Sequence, residues 1–279
     1  MWRHASRAAF HAVMWVISAF MLYPILWTLA SSLKPESEIF THAASLIPSH
    51  IDWSNYTKGW IGFGDVGFAR FFANSFFITF MVLIGTLLSS PWVAYGFSRL
   101  RFPLRNTLFV CLMVSMMLPA QVTVIPQYIL FRHLGWVNTY YPLIVPAYLG
   151  GSAFFVFLIM QFIRTIPREL DEAAKIDGCG PYRIYTQVIF PLCAPVLVTV
   201  AIFAFYWTWD DFFGPLIYLN NTHLYTVSIG LSLFSSADVG TNWGPMFAMS
   251  VLSLLPVLIV FLFFQRYIVE GVTMGSLKA

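Results

Sequence analysis

The chain has 279 residues, 59% of them hydrophobic and only 10% charged, where an ordinary soluble domain carries about 25% charged residues. Its mean hydropathy is +0.75, which excludes a free-standing soluble globule and places most of the chain in lipid. The net charge of +3 is dispersed along the sequence, so there is no dense cationic cluster to displace counterions and nucleic acid is excluded as a partner.

Taken in order, the charge-free runs predict transmembrane helices at about 8–33, 71–98, 106–131, 134–163, 184–209 and 239–265. Each is long enough for the roughly 20 residues that cross a hydrocarbon core. The first is longer than the apolar region of a typical signal peptide and no small-residue cleavage site follows it, so it is read as a span. After it comes the largest hydrophilic piece, 34–70, which is long enough to fold back on the membrane. It contains Gly62-Phe-Gly64-Asp-Val-Gly67, which fits G-x-G-x-x-G but lacks the preceding strand of a nucleotide fold and is read as coincidence. Pro24, Pro91, Pro119, Pro126, Pro142, Pro146, Pro195 and Pro256 fall in or beside the spans, where they bend helices. Segment 212–237 also lacks charge, but Asn220, Asn221, Thr222 and His223 divide it, so it reads as an external or re-entrant loop. With both termini inside, eleven basic residues lie on the cytoplasmic side and Lys34, Lys58, Arg70 and Arg132 outside. The positive-inside rule therefore puts both termini in the cytoplasm.

Cys111, Cys179 and Cys193 show no paired spacing, and the six histidines form no ligand motif; neither a disulfide framework nor a metal site is expected. Nor is there a G-x-x-x-x-G-K-[ST] loop to hold a nucleotide phosphate, so this chain is no ATPase.

The most charged stretch is 164–191, Arg-Thr-Ile-Pro-Arg-Glu-Leu-Asp-Glu-Ala-Ala-Lys-Ile-Asp-Gly-Cys-Gly-Pro-Tyr-Arg-Ile-Tyr-Thr-Gln-Val-Ile-Phe-Pro. It predicts two short helices: Pro167 suits a first turn, Gly178 a stop, and Gly180-Pro181 a new start. Arg168/Glu172 and Asp171/Lys175 are expected as i,i+4 pairs. Leu170, Ala173 and Ala174 are expected to share a shallow face, and Glu172 and Asp177 to accept charge-assisted bonds from a partner. The pattern reads as a docking knob in a protein groove; an amphipathic connector lying on lipid headgroups is the alternative.

At these residues the chain resembles the permease subunits of ATP-binding-cassette importers. Their loop signature is Glu-Ala-Ala, three residues, Gly, nine residues, Ile-x-Leu-Pro, matched here by Glu172, Ala173, Ala174, Gly178 and Val188-Ile189-Phe190-Pro191, with Val for Ile and Phe for Leu. The resemblance extends to Val124-Ile-Pro-Gln-Tyr128, Gly135-Trp-Val-Asn-Thr-Tyr140 and the tail 265–278. It is similar to the second permease of maltose-type carbohydrate uptake systems, although Glu270 stands where that family tends to carry a basic residue. The resemblance implies an all-α polytopic membrane protein, with the six-helix permease fold of a type I importer and a cytoplasmic coupling helix. It also implies location in the inner membrane, a second permease subunit, two ATP-binding subunits and an extracytoplasmic solute-binding protein. ATP and magnesium would then sit on the partner ATPase, with no cofactor on this chain. Glu172, Ala173, Ala174, Asp177, Gly178 and Pro191 are the residues it implies for ATPase coupling.

Span five ends Tyr206-Trp207-Thr208-Trp209-Asp210-Asp211. Aromatic faces and carboxylates grip sugars, and a carboxylate near lipid faces a bundle interior or water; the tryptophans also suit an interfacial aromatic belt. The resemblance implies a substrate pathway along this segment and along Gly150, Gly151 and Phe154, though two adjacent glycines also permit close helix packing. No predicted span contains Lys or Arg, which favours a neutral sugar over a glycerol-phosphate-type solute. The leading reading is thus the permease subunit of a sugar importer. The rivals are a proton-coupled secondary transporter relaying through Asp210 and Asp211, and a polytopic membrane enzyme, for which no catalytic cluster is apparent.

Overall fold

In the computed structural model residues 2–235 and 242–273 are described, with side chains for 10–119, 121–235 and 242–265. Helices account for most of it: α1 (Trp2–Ser31), α2 (Glu38–Thr41), α3 (Ser54–Ile61), α4 (Phe68–Arg99), α5 (Arg105–Met117), α6 (Ala120–His133), α7 (Tyr141–Tyr148) and α8 (Ala153–Thr165). They continue with α9 (Glu169–Ile176), α10 (Pro181–Arg183), a π-helical turn Ile184–Ile189, α11 (Phe190–Leu192), α12 (Ala194–Trp209), α13 (Phe213–Tyr218), a 3-10 turn Thr222–Leu224, α14 (Val227–Leu233) and α15 (Trp243–Thr273).

Among the described residues, Phe10–Ser31, Phe68–Arg99, Tyr141–Thr165 and Trp243–Gln265 are long and apolar enough to cross a membrane. Two bent pairs, α5 with α6 and 181–192 with α12, bring the number to six if each pair is one span. The departures from the expected runs have local causes. Proline disfavours helical conformation in the residue before it; Leu118, before Pro119, is extended (ψ 125°), and the third run breaks there. The fifth run turns by 73° at Cys193, between Pro191 and Pro195, so it is not one straight rod. The fourth run starts only at Tyr141 and is interrupted between α7 and α8. Residues 239–241, expected to open the last span, and the tail 274–278 lie outside the described residues, as do the side chains of Arg3, Arg7, Arg266 and Glu270.

The chain divides into two compact units. The first combines residues 1–70 and 230–256. Lys34 is wholly buried; its Nζ donates to the carbonyls of His42 (3.0 Å) and Ser45 (2.5 Å), which replace water around the ammonium group. Asn55 Nδ2 donates to the carbonyls of Ser32 and Lys34, and Trp27 Nε1 to that of Ala43. Glu36 accepts from the backbone N–H groups of Trp243 (2.7 Å) and Gly244 (3.1 Å), so a carboxylate caps the positive end of α15. The glycine-rich hexapeptide 62–67 forms a tight turn closed by the Phe63–Val66 pair and leads into α4, with no nucleotide-type strand before it.

The second unit comprises 71–229 and 257–279. Its core joins Ala94 and Tyr95 of α4, Phe155, Val156, Ile159, Met160 and Ile163 of α8, Ile184, Tyr185 and Ile189 of the π turn, and Val196, Val200 and Ala204 of α12. Lipid is as apolar as these side chains, so close packing rather than transfer from water holds them together. Gly85 shows the tolerance: an added Cβ would lie 2.6 Å from the Tyr148 ring.

Candidate functional site: a coupling segment and a lined cavity

The segment after α8 folds as its spacing predicts. Glu169, Asp171 and Glu172 occupy the first turn of α9 and Lys175 the last, complementing the helix dipole. At the other end Gly178 adopts φ +78°. The Cys179 N–H bonds the Ala174 carbonyl and the Gly178 N–H that of Lys175, the paired arrangement of a Schellman stop. Nothing lies within 4 Å of a Cβ built on Gly178, so backbone conformation rather than crowding calls for glycine. Gly180 is extended and Pro181 opens α10.

Glu172, Ala173, Asp177, Gly178 and Pro191 are exposed, whereas Ala174 is buried. The expected common face of Leu170, Ala173 and Ala174 is therefore divided: Ala174 faces the core and the other two face outward. Neither i,i+4 ion pair forms. Asp171 turns inward to Arg99 at the end of α4, with Nε and Oδ2 3.0 Å apart and the two side chains 5% and 11% exposed. Local sequence spacing offered Lys175 as partner, and nothing in that spacing could signal an arginine 72 positions earlier.

The predicted pathway residues also separate. Trp207, Thr208 and Asp211 line one cavity of about 250 Å³ with Ser75, Ile78 and Val82 of α4, Pro142 and Leu143 of α7, and Gly214, Pro215, Tyr218 and Thr226. Trp209 does not join them: it is 3% exposed and packs against Phe72, Phe76 and Phe205. Trp207, half exposed, stacks on Phe155 and meets Phe154 at 5.3 Å between centroids. Asp210 is exposed at the end of α12. Asp211 Oδ1 accepts from the Gly214 N–H at 3.1 Å, so this carboxylate organises the start of α13 as well as lining the cavity. Gly150 and Gly151 (φ +100° and +54°) form the break between α7 and α8, which lies close against α4. Ser89 Oγ and Ser90 Oγ donate to the carbonyls of Ala147 and Gly150 beside it.

Sequence reasoning missed what holds segment 212–229 in place. Asn74 Nδ2 donates to the carbonyls of His223 and Tyr225, and the Val227 N–H donates to Ser75 Oγ. Asn138, itself at φ +61°, accepts from the N–H groups of Asn220 and Asn221, which gives the Gly135–Tyr140 motif a structural task. Thr226 Oγ1 is buried with no protein hydrogen-bond partner, a polar group on the cavity wall available to a ligand. The cavity lining includes a carboxylate and hydroxyl groups but no Lys or Arg. Among the described residues no three His, Cys, Asp or Glu side chains gather as a metal site.

In the segment between α1 and α4 Glu38 and Asp52 are held below the ordinary carboxylate range, chiefly by hydrogen bonds from Ser49 and Ser54 respectively. They are local loop fasteners.

Comparison with known proteins identifies the fold and the family. The chain is 34% identical over 265 residues to the arabinooligosaccharides transport system permease protein AraQ of Bacillus subtilis (strain 168), covering 94% of this chain and 92% of that protein. It is 30% identical over 274 residues to the sn-glycerol-3-phosphate transport system permease protein UgpE of Agrobacterium fabrum (strain C58 / ATCC 33970), covering 96% of each. Its fold matches a chain of a bacterial ABC transporter involved in the import of the acidic polysaccharide alginate, with TM-score 0.81 and 22% identity over 93% of this chain and 95% of that one. Residues 82–274 match the family described as binding-protein-dependent transport system inner membrane component. The chain therefore belongs to that family and is the permease, not the ATPase, of an ABC transporter.

Proposed function

We propose that this chain is one of two different permease subunits in an ATP-driven importer of a neutral sugar or oligosaccharide. A solute-binding protein delivers the solute from outside, and α9 docks on one of two ATP-binding subunits. The observation that carries the reading is α9 itself: a helix ended by a Schellman turn that presents Glu172, Ala173 and Asp177 outward at the most charged segment of the chain. Glu172 accepts a basic side chain of the ATPase, and Gly178 and Pro191 fix the direction in which the chain leaves α9.

The neutral-sugar reading rests on the cavity. Trp207 offers an aromatic face, Asp211 and Thr226 offer polar atoms, and there is no cation for a phosphate. At about 250 Å³ the cavity falls short of the roughly 300–1,000 Å³ of a site enclosing a drug-sized ligand, which fits a wall completed by the other permease. A glycerol-phosphate-type solute is the second reading, favoured by the 30% identity to the glycerol-3-phosphate permease; it requires the other subunit to supply the cation. Both termini are cytoplasmic in this reading, following the eleven-to-four distribution of basic residues.

The test is reconstitution of the chain with its partner subunits and binding protein in proteoliposomes. Uptake should require internal ATP and the solute-loaded binding protein, and Glu172→Lys should abolish stimulated ATP hydrolysis while membrane insertion persists. Uptake that follows an imposed pH gradient and ignores ATP would refute the importer reading.

A further inference from the structure

A helix of eight residues is too short to be stable by itself, so whatever holds α9 decides where a push on it goes. The last turn and a half of α4 holds it on both flanks. Ahead of α9, Arg99 Nη2 donates to the Ile166 carbonyl at 2.6 Å. Within α9 the same guanidinium pairs with Asp171. Beyond α9, Tyr95 Oη donates to the Pro181 carbonyl at 3.0 Å. One helix end thus grips residues 166, 171 and 181.

The Arg99–Asp171 pair is buried yet incompletely satisfied. Neither Asp171 Oδ1 nor Arg99 Nε has a hydrogen-bond partner, so the two groups meet as an ion pair while Nη2 is engaged by the Ile166 carbonyl. Such a pair is a poor source of stability, since desolvation offsets much of the attraction. It is a strong source of geometry, because any sliding of α9 along α4 would leave a buried charge unpaired. The far part of α4 carries Ser75, Ile78 and Val82 on the cavity wall. At 1.5 Å per residue, Arg99 and Ile78 lie on the order of 30 Å apart along the helix.

We propose that Arg99 and Asp171 are positioning residues for transport, forming the joint through which the coupling helix moves α4 and, through α4, the cavity wall. This rests on the importer reading above, which assigns α9 to ATPase docking. Glu172 makes the contact with the ATPase; Arg99 and Asp171 carry the displacement into the membrane.

The experiment has two arms on Arg99→Gln, Asp171→Asn, Arg99→Lys and the exchange Arg99→Asp/Asp171→Arg. In the first arm, amide hydrogen exchange is followed across 166–177 in the full chain in nanodiscs. Arg99→Gln and Asp171→Asn should exchange at least tenfold faster there than the wild type, and the exchanged pair should recover most of the protection. In the second arm, the complex assembled with its ATPase and binding protein is reconstituted, and solute imported per ATP hydrolysed is measured. Arg99→Gln, Asp171→Asn and Arg99→Lys should still co-purify with the ATPase but import at least fivefold less solute per ATP; the exchanged pair should regain most of the ratio. A merely structural pair would lower the yield of complex and leave that ratio alone. Wild-type ratios in the three single variants, or unchanged exchange across 166–177, would overturn the proposal. A wild-type complex with no binding-protein-stimulated hydrolysis would instead refute the importer reading, with the exchange arm then deciding whether the joint exists.

Discussion

Asp211 carries two tasks that pull against each other, because one oxygen fastens the Gly214 N–H while the side chain lines the cavity. Asparagine keeps an acceptor for the first task and removes the charge from the second. Asp211→Asn is therefore expected to reduce uptake several-fold without abolishing it, and Asp211→Leu to lose both tasks and abolish uptake while the ATPase stays bound. Uptake assays with co-purification as control check both, and a proton relay would fail in the asparagine variant as completely as in the leucine one. Glu38 offers a pH readout outside the membrane. Hydrogen bonds from Ser49 lower its pKa in the folded state, so their contribution is fully present above the ordinary glutamate range and is lost as the pH falls through the lowered folded-state value. Carbon-13 carboxyl titration should place Glu38 below ordinary glutamates, and Ser49→Ala should move it back up. Residue identity alone could not have separated Trp207 from Trp209. Two positions on a helix differ by about 200°, so one indole faces the cavity and the other the Phe72–Phe76 side of α4, which only the packing reveals.

At the scale of elements, punctuation was more legible than partnership. Gly178 and Gly180-Pro181 announced a stop and a start, because each acts through its own backbone, whereas Pro119 breaks a run read as one bent span. The partner of Asp171, the clips from Asn74 and Asn138, and the cap that Glu36 provides to α15 join segments far apart in sequence, where periodicity is silent. The Gly178 turn gives a direct prediction: Gly178→Ala forces an L-residue to φ +78° at a cost of about 1–2 kcal/mol. Since the site is otherwise open, the damage should appear as weakened ATPase docking without loss of the folded chain. Titrating purified partner ATPase onto the variant in nanodiscs measures it. Glu36→Ala should uncap α15 and cost about 0.5–2 kcal/mol, visible as faster amide exchange in residues 243–246.

For the whole molecule, the distribution of basic residues makes orientation testable. Asn55 would be a poor reporter, being 2% exposed and bonded to the Ser32 and Lys34 carbonyls, but Lys58 and Arg101 are exposed. With the native cysteines replaced, a cysteine at 58 should react with an impermeant reagent from outside intact cells and one at 101 only after lysis. Equal labelling of both from outside would contradict this orientation. Composition alone placed the chain in lipid, and the loop signature placed it in its family. The solute is less legible, since the cavity is shaped by α4, α7 and the segment after α12, whose meeting no linear motif records.

Glu36 and the amides it caps are 207 residues apart, and the unit that contains them is assembled from both ends of the chain. During synthesis at roughly 5–20 residues per second, the Glu36 carboxylate must wait on the order of 10–40 s for Trp243 to emerge. The segment behind the first span can form its own local bonds but lacks its tie to the last helix for that interval while the intervening helices are inserted. Biogenesis of this protein therefore has a defined last step, the closing of the unit built from both ends of the chain when the final helix arrives. Chains truncated before residue 243 should leave residues 34–70 more open to protease than the full chain does, even when every earlier helix has entered the membrane.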